Sequence, residues 1–193
     1  RANGHLMLNG EKMSKSTGNF MTLRELVTKY GADAARIAIA DAGDGVSDAN
    51  FEEDVADNNI LRLFNLREWC EEMVREQDDL RTGEPNSFQY ALFNNEMNSV
   101  TSEAVEQYRQ TNYKLALKAA LYELTSARDF YREACSAGGI KMHKDLVFRY
   151  IELQALLMAV IAPHWSEHIW REVLKKDGSI QNARFPDVRP VDA

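Results

Sequence analysis

Long apolar runs, cysteines and prolines are all scarce in this chain. Its longest apolar candidate, residues 155–162, falls far short of the roughly 18 residues that span a bilayer, which excludes a membrane helix. Two cysteines, Cys70 and Cys135, occur in 193 residues. Each falls on the apolar side of a predicted helix, which fits reduced, buried thiols in the cytosol and excludes a disulfide scaffold. Neither a signal peptide nor an initiator Met opens the chain: Arg1 is followed at once by polar residues, so the chain reads as a piece of something longer. Internal repeats and low-complexity tracts are absent too. What remains is 45% apolar and 27% charged residues, ordinary for a globular protein. That is enough for one good core, or for a small subdomain plus a bundle.

A formal net charge of −7 argues against a nucleic-acid partner until it is divided along the chain. Residues 1–30 carry five Lys/Arg against two Asp/Glu, residues 31–104 five against seventeen, and residues 105–193 thirteen against eleven. The acidic excess is therefore confined to the middle. The start can hold phosphate and the last part can meet RNA, while the middle repels both.

The stretch Glu11-Lys12-Met13-Ser14-Lys15-Ser16-Thr17-Gly18-Asn19 is the most informative. Two lysines three residues apart lie in a short polar loop between Gly10 and Gly18, and both glycines are free to hinge. Leu6-Met7-Leu8 leads in as a strand. Thr22-Leu23-Arg24-Glu25 leads out with the Thr-x-x-Glu form of a capping box, so a helix starts there. Strand, mobile basic loop and helix suit a polyphosphate, because the Lys ammonium is a compact charge on a flexible stem.

A helix over residues 22–30 is expected to close at Gly31, followed by an Ala-rich helix over 32–40 and a loop over 41–49. Asn50-Phe51-Glu52-Glu53 reads as an N-cap with its capping Glu. It opens a long helix with Ile60, Leu63, Leu66, Cys70 and Met73 on one apolar stripe. Further amphipathic helices are expected over about 88–110, 112–137, 144–162 and 163–176, the last opening on a proline. Short connections between such helices give an antiparallel bundle. The fold class is thus mainly α: a strand-loop-helix subdomain in residues 1–49, a helix bundle in 50–176 and a weakly patterned tail in 177–193.

Lys12-Met13-Ser14-Lys15-Ser16 is letter for letter the KMSKS signature, and it sits within RANGHLMLNGEKMSKSTGNF and ahead of YGADAARIAIADAGDGVSDANFEE. In these segments the chain resembles the class I aminoacyl-tRNA synthetases, narrowed by the flanks to leucyl-tRNA synthetases of the archaeal and eukaryotic cytosolic type. The resemblance continues more weakly to Pro163-His164-Trp165-Ser166-Glu167-His168-Ile169-Trp170. It implies a connecting subdomain followed by an anticodon-binding type of bundle. For the parent it implies ATP-dependent charging of tRNA(Leu) with leucine in the cytoplasm, with Mg2+ accompanying ATP. In that class an amino-acid carboxylate attacks the α-phosphorus of ATP and pyrophosphate leaves. Ammonium groups that arrive as negative charge builds stabilise the transition state selectively.

On that resemblance Lys15 is expected to contact phosphate with Lys12 in support. Ser14 and Ser16 donate hydroxyl hydrogen bonds to phosphate or fix the loop, and Met13 anchors the ATP loop by packing. Leucyl enzymes largely ignore the anticodon bases, so the bundle is expected to hold the tRNA body by shape and phosphate. The HIGH-type tetrapeptide of the class is absent, and His5 in Gly-His-Leu-Met does not supply it. These 193 residues alone are therefore expected to form no adenylate. Two other readings stay open: the same region of a valyl or isoleucyl enzyme, and a protein-interaction module whose partners would be other synthetases or signalling GTPases.

His164-Trp165-Ser166-Glu167-His168 has the H-x-x-E-H form of inverted zinc metallopeptidases. Trp165, Ile169, Trp170 and Val173 mark it instead as a packed helix, and no metal site is expected. On the helix over 112–137, Lys114, Lys118, Arg128 and Arg132 project within a sector of about 80° and span roughly 27 Å. Leu121 and Thr125 share that strip. It is a candidate contact for tRNA phosphates, against the plainer reading of a solvated face with partners such as Asp129.

Overall fold

The computed structural model describes residues 4–85 and 87–191. Its first element is a hairpin. Asn9 and Gly10 take φ of 51° and 84°, a left-handed backbone that an Asn-Gly pair adopts at low cost. They fold β1 (Leu6–Leu8) back on β2 (Glu11–Lys12). On the other edge of β1 lies β3 (Ala49–Phe51), parallel to it with Leu8 opposite Phe51, which gives the order β2-β1-β3. The crossover holds α1 (Leu23–Tyr30) and α2 (Ala32–Ala42). The expected capping box is formed: Thr22 Oγ1 accepts from the Glu25 N–H at 3.2 Å, and Glu25 Oε2 accepts from the Thr22 N–H at 2.8 Å. Gly31, at φ 76°, turns the chain from α1 into α2. Leu8, Tyr30, Ala34, Ala38, Phe51 and Ala56 make a small core beneath the sheet.

Asn50 does not cap a helix. It sits within β3, where its Oδ1 accepts from the Gly10 N–H at 2.7 Å, and α3 (Glu53–Arg75) begins three residues later behind Glu52. Pairing with β1 gives this backbone a ladder and gives Phe51 a core site, and together they override the local cap preference. The sheet thus runs two residues past the expected boundary at residue 49.

The rest is helical. After α3 come α4 (Phe88–Arg109) and α5 (Tyr113–Leu117). The latter passes through a π-helical turn, Lys118–Glu123, into α6 (Leu124–Ala137). Then follow α7 (Lys144–Met158) and α8 (Pro163–His168), which continues as a π-helical turn over Ile169–Val173. Met97, Leu121, Leu124, Tyr150, Leu157 and Ile169 are wholly buried at the bundle centre, and Phe93 stacks on Tyr131 at 4.6 Å between ring centroids. Leu63, Leu66 and Cys70 of the expected α3 stripe are buried, but Ile60 is 41% exposed. Ile60 rims a shallow recess against the start of α2 instead of facing the core. Cys70 and Cys135 are both free and buried, and burial pushes the Cys70 thiol up to about 12.

The tail has more structure than its composition suggests. Ile180 is buried in the bundle core. Glu167 accepts from the Ser179 hydroxyl at 3.0 Å and the Ile180 N–H at 2.9 Å. Phe185 meets Tyr108 edge-on, and the Pro190 carbonyl accepts from Asn98 Nδ2 at 2.7 Å. These contacts lie far apart in the chain, so local pattern does not register them.

α2 locks the small subdomain onto the bundle from both ends of one helix junction. Arg36 Nε and Nη2 donate to the carbonyls of Ile161 and Val160 at 2.7 and 2.9 Å, beyond the C-terminal end of α7. Asp33 Oδ2 accepts from the Trp165 N–H at 2.6 Å at the start of α8. Each charge therefore faces the helix end of opposite partial charge.

Candidate active-site loop

The hairpin delivers residues 13–19 as a loop tied by short-range hydrogen bonds of its own. Met13 packs at its root against the small core. The Ser14 N–H donates to the Asn19 carbonyl at 2.8 Å, and the Gly18 N–H to the Lys15 carbonyl at 3.3 Å, with Gly18 at φ 77°. Ser14 and Ser16 share a hydroxyl hydrogen bond of 2.8 Å, and the Thr17 hydroxyl donates to the Ser14 carbonyl at 3.1 Å. Asn19 Nδ2 donates to the carbonyls of Leu8, Glu11 and Lys12, each at 3.4 Å. Lys12 and Lys15 are exposed, and among the described residues neither side-chain ammonium group is held in a hydrogen bond or an ion pair. The loop presents two uncommitted ammonium groups on a folded base, which is what binding an anion requires.

The hairpin turn is fastened to the start of α3. The Asn9 N–H donates to the Phe51 carbonyl at 2.9 Å. Asn9 Nδ2 donates to Glu53 Oε1 and Asn9 Oδ1 accepts from the Glu53 N–H, both at 3.1 Å. The other oxygen, Glu53 Oε2, accepts from Lys29 Nζ and from the Tyr30 hydroxyl. These donors, Lys29 first, hold the Glu53 carboxyl down at about 2. In return Glu53 holds the Lys29 ammonium above the usual lysine range. In the sequence Asn50 and Glu53 stand out only as a helix cap, and Asn9 does not stand out as a functional residue. Asn9-Gly10 carried a visible turn signal, whereas Glu53 did not, because its partners lie 23, 24 and 44 positions away.

The basic strip on the third bundle helix does not form as one exposed row. Lys114 and Lys118 are exposed and Arg132 is half-exposed, but Arg128 is only 7% exposed. Its guanidinium lies 4.6 Å from the Trp69 ring centroid and 5.5 Å from that of Tyr150. Its Nε and Nη2 both donate to Asp129 Oδ1, at 3.1 and 2.7 Å. Leu121, on the same strip, is wholly buried. The cause is the π-helical turn at Lys118–Glu123, because a projection at ~100° per residue assumes an unbroken α-helix. There buried Gln154 donates to the Ala120 carbonyl at 2.5 Å, the kind of side-chain insertion that disturbs a helical ladder.

The His-x-x-Glu-His side chains turn to three separate partners. His164 Nδ1 lies 2.8 Å from Asp33 Oδ1, His168 Nε2 lies 3.0 Å from Glu71 Oε1, and Glu167 holds the tail at Ser179 and Ile180.

This architecture is that of a tRNA-ligase helical domain preceded by a small three-stranded subdomain. Residues 91–193 match the family described as the anticodon-binding domain of tRNA ligase, and the chain belongs to that family. Residues 1–65 match a second family, described as tRNA synthetases class I (M). The particular relatives are leucine–tRNA ligases. The chain is 64% identical over 188 residues to the cytoplasmic leucine–tRNA ligase of Neurospora crassa, covering 97% of this chain and 17% of that protein. It is 60% identical over 193 residues to that of Saccharomyces cerevisiae, covering 100% and 17%, and 50% identical over 192 residues to that of Pongo abelii, covering 100% and 16%. The chain thus spans about a sixth of the length of these curated relatives. Among solved structures it is similar to the ternary complex of Agrobacterium radiobacter K84 agnB2 LeuRS with tRNA and LeuAMS. The TM-score is 0.75 at 17% identity, over 96% of this chain and 24% of that one, a likeness of fold.

Proposed function

We propose that this chain is part of a cytoplasmic leucine–tRNA ligase, which uses ATP to charge tRNA(Leu) with leucine. In this reading residues 1–49 close the catalytic domain with the signature loop. Residues 50–176 position tRNA, and residues 177–193 lead toward a further C-terminal region. The observation that carries it is the pair of uncommitted ammonium groups on the KMSKS loop.

As the leucine carboxylate attacks the α-phosphorus, negative charge grows on the bridging and leaving oxygens of ATP. Lys15 meets that charge and Lys12 adds to it, which lowers the barrier more than it tightens ATP in the ground state. Ser14 and Ser16 exchange their mutual hydrogen bond for phosphate oxygens, while Met13 keeps the root packed. Mg2+ neutralises triphosphate charge when bound. Among the described residues no three Asp, Glu, His or Cys side chains converge on a metal position. No step here runs through the ion.

Lys114, Lys118 and Arg132 are the proposed contacts to tRNA phosphates, with Arg128 as their buried brace. Shape and phosphate, not anticodon bases, are what the bundle would read.

The test uses the full-length parent. Leucine-dependent pyrophosphate exchange and charging of tRNA(Leu) are expected, and charging with valine or isoleucine instead would overturn the leucine assignment. Charge reversal at Lys118 and Arg132 is expected to weaken tRNA binding and flatten its salt dependence. An unchanged slope would remove the tRNA role of this face.

A further inference from the structure

Both stems of the signature loop end on one side chain. The near stem is the hairpin, whose turn residue Asn9 exchanges two hydrogen bonds with Glu53, one to Oε1 and one from its backbone N–H. The far stem is α1, which is capped by Thr22 shortly after the loop and presents Lys29 and Tyr30, at its other end, to Oε2. One carboxylate therefore divides its two oxygens between the two stems. Glu53 is also the first residue of α3, whose N-cap Glu52 makes no side-chain cap. Asn9 supplies the missing acceptor across the turn, satisfying one of the helix's unpaired N–H groups. The positive end of the helix dipole favours the carboxylate there.

A carboxylate in the first turn of a helix is ordinarily a local stabiliser. Among the described residues this one has no hydrogen-bond partner of its own on α3, and its side-chain bonds run to the two arms that frame Lys12 and Lys15. We propose that Glu53 is a positioning residue for the signature loop, fixing the relative placement of its two stems and joining both to the first bundle helix. A load on α3, such as tRNA docking on the bundle, then reaches the loop through this joint as well as through the pairing of β3 with β1. The proposal rests on the reading that the loop serves ATP, and it makes a structural claim that can fail separately.

Four variants of the full-length parent test it. Glu53→Gln removes the charge. Asn9→Gly keeps the left-handed turn and deletes only the amide. Asn9→Asp sets two carboxylates face to face. The double variant Asn9→Asp with Glu53→Gln exchanges donor for acceptor, so a carboxylate at position 9 again accepts from an amide at position 53. The single variants are expected to lower kcat for leucine-dependent pyrophosphate exchange roughly 10- to 100-fold, the scale of a small misplacement of catalytic groups. The KM for leucine should not move, and the double variant should recover much of the loss. Backbone hydrogen exchange over residues 10–19 should quicken in the single variants and slow again in the double one. Unchanged loop exchange and unchanged kcat would overturn the tether, as would losses that merely follow melting temperature and are not rescued. A wild-type parent without leucine-dependent exchange would overturn the proposed function instead, and the hydrogen-exchange arm would still decide the tether.

Discussion

The signature loop and the helix bundle meet opposite demands. In the bundle, Leu121, Tyr150 and Leu157 lose all their solvent-exposed surface, and burial of apolar area does the stabilising. Between Met13 and Asn19 only the root methionine packs on a core. Everything else is held by short-range hydrogen bonds and by the two stems. A loop built this way adds little to global stability, and so its ammonium groups stay available to a substrate. The bundle can absorb changes in the loop, while the loop depends on the bundle for its footing.

The sharpest test of that asymmetry removes a core side chain. Leu121 is wholly buried, and Leu121→Ala should cost about 2–5 kcal/mol of global stability through lost transfer energy and the cavity left behind. Denaturant unfolding of the chain reads this directly. A cost under about 1 kcal/mol would mean that the bundle centre is loosely packed.

The reciprocal change is Lys15→Ala. Its expected cost is about 2.7–4 kcal/mol in the barrier to adenylate formation, seen as a 10²- to 10³-fold fall in kcat of the full-length parent. Stability should shift by no more than about 0.5 kcal/mol, because the side chain is exposed and uncommitted. A large drop in melting temperature would break the comparison, since the loop would then be part of the framework.

Between these extremes lies the joint itself. Arg36→Ala leaves the carbonyls of Val160 and Ile161 without their donor, at a cost of about 1–3 kcal/mol. Because α2 belongs to both units, a second unfolding transition is expected to separate from the main one. A single transition, merely shifted, would show that the two cores unfold together without this clamp.

How much of this was legible follows from range. The capping box at Thr22 and Glu25 and the turn at Gly31 depend on neighbours one to four residues away, and both form as read. The KMSKS motif is likewise a local signal, and its two lysine side chains are exposed. What escaped depends on distant partners. Strand β3 takes Asn50 away from the helix it was expected to cap. Gln154 on α7 bonds Ala120 at the π-helical turn that breaks up the basic strip. Asp33 and Arg36 carry no signal in the sequence analysis, because they face two different helix ends more than 120 residues away.

The smallest expected effect is also the most local, and it concerns pH. Lys29, Tyr30 and Asn9 lower the Glu53 carboxyl from 4.5 to about 2. In the unfolded chain these donors are lost, so as pH falls the unfolded state takes up the proton first. The stability that Glu53 contributes is therefore complete above about 4.5 and drains away as pH falls toward 2. Its side chain is 26% exposed and that of Lys29 55%, so water screens the pair and the effect stays well below that of the core. Glu53→Gln should flatten the dependence of melting temperature on pH in this window relative to wild type, leaving the slope due to the other carboxylates. Leu121→Ala should lower the whole curve and keep its slope, because nothing in that part of the core titrates there. A constant offset between wild type and Glu53→Gln across the window would mean that the carboxylate is not held by its three donors, and the footing of the loop would have to be sought in the sheet alone.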